Sequence, residues 1–133
     1  MMTIHLQIIG VLLMLLALLH VGFPRYFGWK EQLASLSLIN RQMMQVHTFF
    51  IALVVFMIGL LSCWQAEALQ TNPLGRFICS GLAFFWGLRL FFQLFVYSPA
   101  LWRGKLFETT MHIAFAMLWL YLLWVYGSVA GWW

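Results

Sequence analysis

Charge is what this sequence has least of. Of 133 residues, seven are Lys or Arg and three are acidic, and all three acids are glutamates. Charged residues make up 8% of the chain, against about 25% in a soluble domain. A globule this small exposes much of its surface to water, and so few charges cannot cover it. Soluble enzymes, nucleic-acid-binding domains and disordered tails are excluded on this ground. Cysteine is scarce too: Cys63 and Cys79 stand alone, with no Cys-x-x-Cys pattern to support dithiol redox chemistry. Ser62, Ser80, Thr48, Thr109 and Thr110 have no matched base and acid on their helix faces, so a serine-type triad is unsupported.

Hydrophobic residues fill the space instead, at 65% of the chain. A bilayer-spanning helix needs about 20 mostly apolar residues. Four stretches satisfy this, near 3–22, 44–64, 76–97 and 107–127. Lipid offers backbone groups no water to bond, so the spans are read as helices. The expected fold is an all-α integral membrane bundle of four antiparallel transmembrane helices forming a single domain over 1–133. The first span lacks a basic start and a small-residue cleavage site, so it is read as a retained helix rather than a signal peptide.

The connections are short. Residues 23–43 carry Trp29, Leu33 and Leu36 at helical spacing, which predicts an amphipathic linker at the headgroups. Residues 65–75, with Asn72, Pro73 and Gly75, predict a polar turn, and residues 98–106 contain Pro99 and Gly104. Basic side chains set the orientation. Arg25, Lys30, Arg41, Arg103 and Lys105 lie in the first and third connections, and Arg76 alone in the second. That bias predicts N-out/C-out topology in a bacterial cytoplasmic (inner) membrane. It also accounts for the net charge of +4 without nucleic acid, for which no motif is present.

The third span has readable faces. Gly75, Cys79, Ala83 and Gly87 recur every four residues, a small-residue stripe that admits a neighbouring helix or a second copy of the chain. Phe84, Leu88, Phe91, Phe92 and Phe95 are expected to face lipid. Trp86, Gln93 and Tyr97 are expected to point inward, with Arg89 at the border. Trp119, Tyr121, Trp124, Tyr126, Trp132 and Trp133 read as an interfacial aromatic belt. Cys63 and Cys79 fall at similar depth, so a disulfide is geometrically conceivable.

Ionisable groups inside a membrane are costly and usually mark function or an internal pair. His20, His47, Arg89, Gln93, Glu108 and His112 all fall within about 12 Å of the cytoplasmic ends of their spans. The expectation is a pocket at that level, with three readings. Arg89, Gln93, His47, Trp86 and Tyr97 would hold a polar or anionic ligand, such as a lipid headgroup, a quinone oxygen or a polyprenyl phosphate. His20, His47, Glu108 and His112 would hold a divalent transition metal, with Glu108 and His112 four residues apart on one face; paired His from different helices would also serve haem b. In the third reading Arg89 and Glu108 form an ion pair that fixes helix register in an accessory subunit of a larger membrane complex.

Overall fold

The structure is a computed structural model that describes residues 2–133. Every regular element in it is helical. In chain order these are α1 (Thr3–Tyr26), α2 (Trp29–Gln32), a 3₁₀ turn at Leu33–Ser35, α3 (Leu38–Trp64), α4 (Ala66–Thr71) and α5 (Pro73–Phe91). A π-helical turn at Phe92–Val96 and a 3₁₀ turn at Pro99–Leu101 then lead to α6 (Leu106–Ala130). Among the described residues, four helices are long and apolar enough to cross a bilayer: Thr3–Tyr26, Leu38–Trp64, Pro73–Val96 and Leu106–Ala130.

Each exceeds its predicted length by a few residues, and in three of them a capping residue lies beyond the apolar run. Ser37 Oγ accepts the Asn40 amide at 3.4 Å and starts α3. Asn72 Oδ1 accepts the Leu74 amide at 2.9 Å, with Pro73 opening α5 where no amide donor is needed. Gly131, at φ 83°, closes α6 in the left-handed conformation that favours glycine. The polar turn expected at 65–75 contains the short helix α4. The linker expected to be amphipathic resolves into α2 and its 3₁₀ turn, with Leu36 extended before α3.

The chain forms two compact units. One comprises Leu6–Ala66; the other joins the residues up to His5 with Glu67–Trp133.

In the Leu6–Ala66 unit, α1 meets α3 through glycine. A Cβ placed on Gly10 would lie 2.6 Å from the Gly59 carbonyl oxygen, and one on Gly59 would lie 2.7 Å from the Gly10 carbonyl oxygen. The two backbones therefore touch directly, as small residues allow in membrane helices. Cys63 Sγ donates to the Gln7 carbonyl at 3.4 Å on the same seam.

In the other unit, α5 packs along α6. Ser80 meets Trp132, Gly87 meets Leu123, Trp86 meets Trp119 and Gln93 meets His112. From Ser80 to Gln93 the partners run back from Trp132, just past α6, to His112 near its start, so the pair is a hairpin. The predicted small-residue stripe is buried at Gly75, Cys79 and Ala83. A Cβ on Gly75 would lie 2.5 Å from the Ala68 carbonyl oxygen, so that glycine seats α5 against α4. Both cysteines are free thiols, and the conceivable disulfide is not formed.

The remaining surface is strongly apolar. At most 33% of the residues in any span's most apolar window are buried. Phe84, Leu88, Phe91, Phe92 and Phe95 are all exposed, as their helix face predicted. Surface of this composition suits hydrocarbon rather than water.

Candidate functional site

The site is built where α5 gives way to the π-helical turn. The Tyr97 amide bonds the Phe92 carbonyl at 3.1 Å, closing a five-residue rather than a four-residue turn. Wide turns of this kind re-aim the side chains within them. Proline at 99 stops the helix from continuing, and Tyr97 and Ser98 are both extended ahead of it. Gln93, inside the wide turn, is 7% exposed. A buried amide must find partners, and Gln93 finds three. Arg89 Nη1 donates to its Oε1 at 3.4 Å, Trp119 Nε1 donates to the same oxygen at 3.5 Å, and its Nε2 lies 2.9 Å from His112 Nδ1.

Aromatic rings enclose this polar chain. Trp86 and Trp119 stack at 5.1 Å with 8° between their planes, and Phe115 stacks on Trp119 at 5.7 Å. Trp102 stacks on His112 at 4.6 Å. The Arg89 guanidinium lies 5.1 Å from the Trp119 ring and 5.3 Å from the Tyr97 ring, within cation–π range of both. Trp86, buried at 2% exposure, holds an indole N–H with no acceptor among the described residues. Among the described residues, none of the contacts made by Arg89 is to a carboxylate.

Four of the five residues expected to hold a ligand thus lie within one hairpin: Arg89, Gln93 and Tyr97, with Trp86 joined through Trp119. Tyr97 lies under Arg89 while remaining 45% exposed. The fifth, His47, belongs to the other unit, where its side chain is exposed. The metal candidates divide in the same way, with His20 and His47 in one unit and Glu108 and His112 in the other. Among the described residues no three His, Cys, Asp or Glu side chains gather as a metal ion would require. His20 Nδ1 bonds the Leu16 carbonyl of its own helix at 2.9 Å, which fixes the proton on that nitrogen. Glu108 and His112 do not act as a pair: Glu108 is exposed, and His112 turns its Nδ1 to Gln93.

Two expectations are corrected. The Arg89–Glu108 ion pair is not formed: Arg89 meets Gln93 and two rings, and Glu108 is exposed. The aromatic belt is not uniform. Trp119 and Tyr126 are buried at 4% and 0% exposure, whereas Trp124, Trp132 and Trp133 are exposed. Sequence reasoning placed Trp119 in the belt and passed over Trp102 and Phe115. Phe115 and Trp119 stand four apart on α6 and facing Trp86 requires only that α5 and α6 pair as a hairpin, so that signal was present. Trp102 sits in a loop and carried none.

A second polar contact lies at the other end of α6. His5 Nδ1 lies 2.7 Å from the Tyr121 hydroxyl, with the Trp124 ring edge-on at 5.3 Å. Gln70 bonds both the Met2 amide and Thr3 Oγ1, tying the start of the chain to α4. In the Leu6–Ala66 unit, an open groove of about 220 Å³ is lined by His20, Val21, Pro24, Gln45, Thr48, Phe49 and Ala52.

Comparison with protein-family models, with curated proteins and with solved structures finds no match to this chain.

Proposed function

We propose that this is a small integral membrane protein whose α5–α6 hairpin binds a polar, anionic ligand through Arg89. The carrying observation is a guanidinium on an apolar span with no carboxylate among its contacts. Arginine stays protonated in proteins. A charge at that depth is costly unless it is paired or reaches the interface. Gln93 supplies one neutral acceptor, shared with Trp119, and rings supply only the face of a quadrupole. The remaining guanidinium donors suit a phosphate or carboxylate oxygen. In this reading the four spans form one antiparallel bundle with N-out/C-out topology in a bacterial inner membrane. Arg89 then lies about 10 Å in from the cytoplasmic end of its span, seven residues before Val96. Ligands of the right class are an anionic lipid headgroup or a polyprenyl phosphate.

Native mass spectrometry of the protein released from mild detergent tests this. Wild type is expected to carry a retained anionic lipid, and Arg89→Gln to lose it while keeping its helix content by circular dichroism. Equal retention by both proteins, or none by either, refutes the reading and leaves Arg89 as a packing residue held by its rings.

A further inference from the structure

We infer that Gln93 locks His112 as a hydrogen-bond donor through Nε2, and that His112 and Arg89 together recognise the oxyanion of a phosphate group. The ligand part rests on the proposed role of Arg89; the tautomer part does not.

Donor and acceptor chemistry sets the orientation of the Gln93 amide. A glutamine amide has one accepting oxygen and one donating nitrogen, and diffraction alone seldom tells them apart. Here the neighbours decide. Arg89 Nη1 and Trp119 Nε1 can only donate, and both reach Oε1. Turning the amide over would set two donors against its NH₂ group. Nε2 therefore faces His112 Nδ1, at 2.9 Å. Because Nε2 can only donate, Nδ1 must accept and carry no proton. The neutral imidazole then holds its proton on Nε2. A hydrogen bond to one ring nitrogen sets the character of the other. Trp102 covers a face of the ring at 4.6 Å with 18° between the planes, which leaves its edge for polar contact.

The resulting inventory is rich in unpaired donors. Arg89 has N–H groups beyond the one given to Gln93. His112 has Nε2–H. The Trp86 indole N–H is buried without an acceptor. The buried acceptor, Gln93 Oε1, already takes two bonds. A site of this kind favours a ligand group that accepts only. With one cation in the cluster, an oxyanion balances it, and an ionised phosphate group presents oxygens that only accept. The shared chemistry is the phosphodiester or phosphate oxygen, supplied by a membrane lipid or by free phosphate.

The test uses the full-length protein labelled with ¹⁵N-histidine, in micelles at alkaline pH, where free imidazole is neutral. His112 is assigned by the signal missing from His112→Asn. Without added ligand, wild type is expected to show an unprotonated Nδ1 and a protonated Nε2. Gln93→Glu, whose carboxylate cannot donate, is expected to move the proton to Nδ1. Phosphatidylglycerol is then expected to shift the Nε2 signal, and diacylglycerol with the same chains to leave it unmoved. A matching shift with inorganic phosphate supports the site and assigns it to free phosphate. An Nδ1-protonated wild type overturns the lock. An Nε2 signal that responds to neither phosphatidylglycerol nor phosphate, while Arg89 still governs lipid retention, overturns this inference and leaves the proposed function standing. Retention independent of Arg89 overturns that function, and the tautomer result is still read from ligand-free protein.

Discussion

The contact between Gly10 and Gly59 gives the sharpest quantitative prediction. A methyl group on Gly10 would lie 2.6 Å from the Gly59 oxygen and 2.5 Å from Cys63 Sγ, where ordinary contact begins at 3.4 Å. The helices must therefore part by about 0.8 Å, since a backbone carbonyl cannot swing aside as a side chain can. Overpacking of this kind costs about 1–3 kcal/mol, and a clash with main chain belongs at the upper end. Alanine returns about 1 kcal/mol through its better helix propensity. The net expectation for Gly10→Ala is a loss of about 2 kcal/mol, or roughly a 30-fold fall in the folding constant. Gly59→Ala should match it, because its methyl meets the Gly10 oxygen at 2.7 Å. The double variant should cost less than the two losses added, since both relieve one contact. Gly22→Ala and Gly81→Ala are the controls: nothing lies within 4 Å of either added methyl, so each should be neutral or stabilising by up to about 1 kcal/mol. Reversible unfolding in mixed detergent–SDS micelles, followed by circular dichroism, measures all five. If Gly10→Ala and Gly59→Ala unfold with the controls, α1 and α3 do not touch backbone to backbone and the reasoning fails.

Other outcomes follow from single contacts. Gly75→Ala places a methyl 2.5 Å from the Ala68 oxygen and the Leu69 Cα, so it should lower the unfolding midpoint in the same assay by an amount comparable to Gly10→Ala. Tyr121→Phe removes the partner of His5 and should cost about 1 kcal/mol; no change would mean that the histidine bonds elsewhere. Under non-reducing conditions both thiols should be free, and in the folded protein Cys79, at 0% exposure, should resist a maleimide that reacts with it after SDS denaturation. For topology, a reporter active only outside the cytoplasm should be active when fused after Trp133, and inactive when inserted in the loop carrying Arg103 and Lys105; the reverse pattern would invert the assignment.

The candidate site was half legible from the residues. Arg89 and Gln93 stood out because polar groups on an apolar span are costly wherever they sit, which holds whatever surrounds them. Trp86 was placed inward by its position beside the small stripe, and it is buried. His112 was singled out for a different partner. Its spacing to Glu108 suggested a shared face, but a helix face fixes only direction along one helix. The partner is chosen across the hairpin, where the π-helical turn brings Gln93 within 2.9 Å. Nothing in the local sequence announces that extra residue in the turn.

Composition alone settled the class of structure. With 8% charge and 65% hydrophobic residues, the backbone must satisfy its own hydrogen bonds, and four long apolar helices are the outcome. Helix ends were legible only to within a few residues, because Ser37, Asn72 and Gly131 cap the helices beyond the apolar runs that marked the spans. What tertiary structure alone decided is which costly groups meet. Gly10 against Gly59, Gln93 between Arg89 and His112, and Trp119 stacked on Trp86 all depend on helix pairing and register. Those are set by shape matching between surfaces far apart in the chain, and no short-range pattern encodes them.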